Sequence, residues 1–158
     1  MQPETPKPPK RPVSVLVLLH DGQGSALLLE RADRAGYWQS VTGSLEAGET
    51  PFQAALRETA EETGIALAPQ QLCDWHFHTE YEIYPHWRHR YPAGVTRNTE
   101  HWFSAIVPTA CPVRLCPAEH TRYRRLSLAE AARLAFSPSN RDALLHLACR
   151  TPPCPEAA

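Results

Sequence analysis

Apolar positions along this chain follow two periods. VSVLVLLH from Val13 and ALLLER from Ala26 are short apolar runs separated by DGQG at 21–24, a pattern that predicts two strands joined by a hairpin turn. The loop ADRAGYWQS and a short apolar VTG follow. Leu72 to Tyr84 is rich in aromatic and β-prone residues, TEHWFSAIV at 99–107 reads as another strand, and TRYRRLSL as a last short one. Three other segments carry helix signals. Thr50 can cap a helix, Pro51 suits its first turn, Gln53 can close a capping box, and Gly64 is placed to end it. Ser127 and Glu130 predict a second capping box opening SLAEAARLA, and a third helix is expected through RDALLHLACR. Strands and helices mix without regular βαβ alternation, so the expected class is α+β with a mixed sheet.

Length and composition narrow the setting. The 158 residues suffice for one domain with a real core, here 42% apolar and 21% charged. MQPETPKPPKRP and RTPPCPEAA carry little to bury, so 1–12 and 151–158 are expected as disordered tails around a domain at 13–150. A net charge of -1 argues against bulk electrostatic binding of nucleic acid or a membrane surface. The cysteines Cys73, Cys111, Cys116, Cys149 and Cys154 form no C-x-x-C pair and are expected to be ordinary reduced thiols. The longest apolar stretch, from Val13, is far below the ~20 residues of a membrane span, so a soluble, cytoplasmic protein is expected.

The chemistry concentrates in GSLEAGETPFQAALRETAEETGI, residues 43–65. At ~100° per residue, Glu58 and Glu62 stack one above the other with Glu61 about 60° aside, while Phe52, Ala55, Leu56 and Thr59 fall largely on another sector. A solvated face with an Arg57–Glu61 pair leaves the stacking of like charges unexplained, because that stacking is itself destabilising. A hard divalent ion would convert it into binding, since Mg²⁺ takes carboxylate oxygens together with substrate phosphates.

The spacing from Gly43 through Glu49, Arg57-Glu58 and Glu61-Glu62 to Gly64 resembles the Nudix box, with Thr59 where the family usually has an aliphatic residue. The resemblance implies an α/β/α sandwich with a mixed sheet, Mg²⁺ or Mn²⁺ as cofactor, and hydrolysis of a diphosphate linked to another moiety. It implies Glu58 and Glu62 as metal ligands, Glu61 assisting the metal or the attacking water, and an Arg57–Glu49 pair orienting the helix. Gly43 is expected to leave room where a side chain would obstruct.

The substrate is addressed by residues 81–103, read as a long loop in which Arg88, Arg90, Arg97, His86 and His89 mix with Tyr84, Trp87 and Tyr91. Cations beside aromatic faces suit a polyphosphate on a flat heterocycle, although a self-stacked basic loop has the same composition. HRYPAGVTRNTEHWF, KRPVSVL, YWQSVTGSLEAGET and SNRDAL, spread from Lys10 to Leu144, are similar to the bacterial dihydroneopterin triphosphate diphosphatases, a group within that family. This resemblance implies hydrolysis of 7,8-dihydroneopterin triphosphate to the monophosphate and pyrophosphate in folate biosynthesis. It adds Glu119 as a third metal ligand and implies substrate contacts at Lys10, Arg31, Thr42, Tyr81, Glu82, Ile83, Tyr84 and Ser137. Each has a plainer reading: tail residue, exposed strand end, strand residue or connecting turn. Tyr81 and Tyr84 stand where that group tends to have phenylalanine. Two rival readings are a Nudix hydrolase of nucleoside triphosphates such as dATP, and a non-catalytic sensor, against which the intact Glu58, Glu61 and Glu62 weigh.

Overall fold

Side-chain alternation along the first strand, β1 (Val13–His20), separates two apolar cores. Val15, Val17 and Leu19 join one core with Leu27, Leu29, Val41, Ala54, Ala55 and Phe103. Leu16 and Leu18 point the other way, to Leu28, Trp102, Ala131, Ala143, Leu144 and Leu147. A strand buried on both faces needs a helical layer on each side. Helix α1 (Pro51–Thr63) supplies one, and α2 (Leu128–Leu134) with α3 (Pro138–Cys149) supplies the other. The result is the expected α/β/α sandwich of the α+β class. The computed structural model describes residues 8–150.

The remaining strands are β2 (Ser25–Arg31), β3 (Trp38–Gln39), β4 (Val41–Ser44), β5 (Leu72–Glu82), β6 (Arg97–Ile106) and β7 (His120–Ser127). The sheet is mixed: β1 runs parallel to β6 from Val13↔Thr99 to His20↔Ile106, and β5 pairs antiparallel with β6. The expected hairpin forms at DGQG, where Asp21 accepts the backbone N–H groups of Gln23 and Ser25. Its strands then part. β2 stays with β1 only at His20↔Ala26, continuing instead along β7, while β4 takes the edge of β1 from Ser14↔Ser44 to Val17↔Val41. This fork brings Ser14, Leu16, Arg31, Thr42, Gly43 and Ser44 around one cavity.

The local signals around α1 are realised in full. The Thr50 side chain accepts from the Gln53 N–H, the Gln53 side chain returns to the Thr50 N–H, and Gly64 closes the helix at φ 72°. Ser127 and Ser137 cap α2 and α3. Three expectations are modified. Residues 81–103 are not all loop, because β5 extends to Glu82 and β6 begins at Arg97, leaving a shorter connection that contains a 3-10 turn over Pro85–Arg90. Cys111, Cys116 and Cys149 are free thiols, but Cys73 is disulfide-bonded rather than reduced. Of the two expected tails, residues 1–7 and 151–158 lie outside the described residues. Within the described ones the chain is tied down from Lys10, whose N–H donates to the Arg90 carbonyl at 2.8 Å, and Pro12 accepts from Thr99 N–H at 3.0 Å. Among the described residues no helix is long and apolar enough to cross a membrane.

Candidate active site

Capping fixes where α1 begins and therefore which of its residues meet the sheet. Glu58 and Glu62, one turn apart, are both buried and line a cavity of about 380 Å³. Gly43 on β4 makes this possible by close approach: a Cβ there would fall onto the Glu58 carboxylate. The glycine is required by contact and not by an unusual backbone angle. Glu62 accepts the Thr42 N–H at 3.1 Å. Arg57 organises the opposite flank, donating to Glu49 at 2.8 Å, to Glu58 at 2.7 Å, to Glu61 at 3.1 Å and to the Ser44 carbonyl at 3.0 Å. The expected Arg57–Glu49 pair is thus present, and it locks the loop before α1 onto the helix. Glu61 departs from the geometry expected for it. Its side chain is about half exposed, is held by Arg57, and is not among the residues lining the cavity.

The cradle has two further members. Glu119 and His120, where β7 begins, bring ligand atoms within 4.8 Å of one another and of Glu62. Glu119 is exposed and His120 buried. The polarity of His120 follows from its neighbours. Arg31 can only donate, and its Nη1 faces Gln39 Oε1 at 3.3 Å, so the Gln39 amide nitrogen is the atom 3.1 Å from His120 Nε2. His120 Nε2 must then accept, which leaves the proton on Nδ1. That atom is buried, has no hydrogen-bond partner among the described residues, and lies 3.7 Å from Glu62 Oε1. Burial, with the positive charge of Arg31, holds the His120 pKa down to about 4, so the ring is neutral near pH 7.

The same physics acts on the carboxylates in the opposite sense. Burial raises the Glu58 pKa to about 7 against the pull of Arg57, and burial followed by the charges of Glu58 and Glu119 raises Glu62 well above the usual carboxylate range. Glu62 also sits in the last turn of α1, where the helix dipole disfavours negative charge. Such a set suits a hard divalent cation. It offers mainly carboxylate oxygens, a neutral imidazole beside them, and charges that lack sufficient compensation from the protein.

The rest of the cavity is cationic at one side and aromatic at the other. Lys10, Arg31 and Arg90 line it. Desolvation, then the charge of Arg90, lowers the Lys10 pKa. Arg31 is fixed in a two-pronged pair with Asp33 at 2.7 and 2.8 Å and lies over Trp87 at 4.5 Å. Tyr81, Ile83, Tyr84, Trp87 and Phe136 form the apolar wall. Tyr84 packs edge-on to Trp87 at 5.6 Å, and Trp87 edge-on to Phe136 at 5.9 Å. Arg88 pins this loop through the Ile83 carbonyl at 3.0 Å and Glu82 at 2.6 Å.

Every position singled out for substrate contact therefore lies on the cavity: Lys10, Arg31, Thr42, Tyr81, Glu82, Ile83, Tyr84 and Ser137. The Glu82 carboxylate is exposed and engaged with Arg88, and Ser137 also accepts the Asn140 N–H as the cap of α3. Residues missed from the sequence include Gln39, Glu100, His120, Phe136 and Asn140, all of which line the cavity. Glu100 did leave a trace. It is a charge at the buried phase of a strand whose alternate residues Asn98, Trp102 and Ser104 are all buried.

The NUDIX domain model matches residues 10–147. Dihydroneopterin triphosphate diphosphatase of Escherichia coli K12 is 46% identical over 138 residues, covering 85% of this chain and 91% of the relative. The enzyme of the same name from Haemophilus influenzae is 35% identical over 135 residues, 83% and 84% of the two chains. The solved structure of the E. coli dihydroneopterin triphosphate pyrophosphohydrolase superposes with a TM-score of 0.85 at 43% identity, covering 92% of this chain and all of that one. With the box residues gathered as described, this chain belongs to the NUDIX domain family.

Proposed function

We propose that the protein hydrolyses 7,8-dihydroneopterin triphosphate to dihydroneopterin monophosphate and pyrophosphate with Mg²⁺, or Mn²⁺ in its place. The observation that carries this reading is a single cavity combining a carboxylate cradle, a cationic flank and an aromatic wall. Those features answer the scissile diphosphate, the remaining phosphate charge and a flat heterocycle. The relatives of that name support the choice of substrate.

In this reading Glu58, Glu62 and Glu119 hold the cation, which when bound supplies neutralising charge to the phosphate oxygens and a lowered pKa to a water. Lys10 and Arg31 bind phosphate oxygens, and the Asp33 and Gln39 contacts of Arg31 keep its guanidinium in place. Tyr81, Ile83 and Tyr84 position the ring, Glu82 fixes their loop through Arg88, and Thr42 and Ser137 supply polar contacts. Water's oxygen bonds to one phosphorus of the scissile bridge as the P–O bond to the bridging oxygen breaks, and its proton passes to the carboxylate cluster. Glu61 assists through Arg57, which also bonds Glu58.

Pyrophosphate release measured with and without Mg²⁺, on dihydroneopterin triphosphate and on dATP, tests this directly. The expected result is cation-dependent release with the higher kcat/KM on the pterin. A clear preference for dATP would overturn the substrate in favour of a nucleotide hydrolase, and no release at all would leave a binding protein.

A further inference from the structure

Glu100 is the least expected residue of the cavity. It sits on β6 beside Ser14 of β1 in the parallel register, only 3% exposed, and lines the cavity with Ser14 and Leu16. Two neighbours donate to it: the Trp102 indole N–H reaches Oε1 at 3.1 Å, and Ser139 also hydrogen-bonds the carboxylate. A neutral amide would accept from both at a smaller desolvation cost, so these two contacts do not account for a charge at this depth. Burial raises the pKa of Glu100, a sign that its ionised form is short of donors. A carboxylate has about four lone-pair sites, and among the described residues these two donors leave about two of them open. Nearby, Asn98 donates to Ser14 Oγ at 2.7 Å and to Tyr81 Oη at 3.0 Å, fixing the polar floor and an aromatic wall on either side of the carboxylate.

We propose, resting on the function given above, that Glu100 is a specificity-determining residue that reads the paired N–H donors of the substrate's 2-amino-4-oxo ring. In a pterin the ring N3–H and the adjacent amino group point the same way, and two parallel donors match the two oxygens of a carboxylate. Guanine carries the same pair. Adenine places a ring acceptor beside its amino group, so an ionised carboxylate there faces a lone pair. Glu100 thereby separates pterin and guanine from adenine within one cavity.

Glu100→Gln tests this, because an amide presents one acceptor and one donor, the complement of adenine's edge. The measurement is kcat/KM of both proteins on dihydroneopterin triphosphate, dGTP and dATP, with a thermal melt of each. Loss of a charge-assisted contact is expected to lower the first two values about 10- to 100-fold while dATP falls less or rises. A change of equal size on all three, or no change, would overturn the proposal. Should the variant melt below the assay temperature, the wild type on dGTP and dITP decides: dITP lacks the amino group, so a tenfold or greater preference for dGTP supports the reading and equal rates overturn it. The two proposals fail separately. Wild-type preference for dATP over the pterin sinks the substrate assignment, whereas unaltered ratios of the pterin and dGTP values to the dATP value in Glu100→Gln sink the role of Glu100.

Discussion

Glu58 and Glu62 are held in place against their own electrostatics. Burial and mutual repulsion oppose their ionisation, the dipole of α1 adds to this at Glu62, and Arg57 on Glu58 and the Thr42 N–H and Arg31 on Glu62 pull the other way. Removing the charge at Glu62 should therefore separate function from stability. Glu62→Gln is expected to lose divalent-dependent hydrolysis by roughly a hundredfold or more while the cation-free protein melts no lower than wild type, and by up to a few degrees higher. Parallel assays of pyrophosphate release and thermal denaturation check both halves, and near wild-type turnover would remove Glu62 from the machinery. Gly43 shows the other side of the same arrangement, since the space it leaves is filled by the Glu58 carboxylate.

At the scale of elements, α1 is the part most fully written in local sequence. Thr50, Pro51, Gln53 and Gly64 fix its limits through bonds spanning three or four residues, and the period of the helix then places Glu58 above Glu62. Thr50→Ala removes one half of the capping box and is expected to cost about 1 kcal/mol, measured by denaturant unfolding. Glu61 shows where periodicity stops being informative. The helix places it close to Glu58 in angle, but Arg57 draws it outward, and that choice depends on Glu49 in the preceding loop and on Ser44 at the end of β4. His120 is illegible in the sequence, and Glu100 shows there only as a charge at a buried strand phase, for a related reason. His120 acquires its polarity from Gln39, 81 residues away, and Glu100 faces the cavity because β6 pairs parallel with β1. No short-range pattern encodes either contact. Cys73 is a similar case, its bonded state being invisible in cysteine spacing.

Taken as a whole, the molecule stores unfavourable charge at one place, and the proposed cation would relieve it. Because the folded pKa of Glu58 is raised to about 7 from its ordinary 4.5, the cation-free fold binds more protons than the unfolded chain between those values. Its contribution to stability is therefore full below about 4.5 and is lost as pH rises towards 7. A divalent cation competes with those same protons. Saturating Mg²⁺ is accordingly expected to raise Tm more at pH 8 than at pH 5.5, read by differential scanning calorimetry at constant ionic strength. An equal rise at both values would contradict the link between the raised pKa and cation binding.

The fork at β1 has a last consequence. Ser14 and Leu16, which line the cavity with Glu100, and Thr42 and Gly43, beside the acidic cradle, belong to two strands bonded rung to rung, Leu16 to Thr42 and Val15 to Gly43. A ladder of that kind does not stretch, so in the proposed complex the spacing between heterocycle and reacting phosphorus would be gauged by the scaffold. On that reading the fold would act as a ruler, selecting substrates by the length of their linker as well as by the identity of their ring.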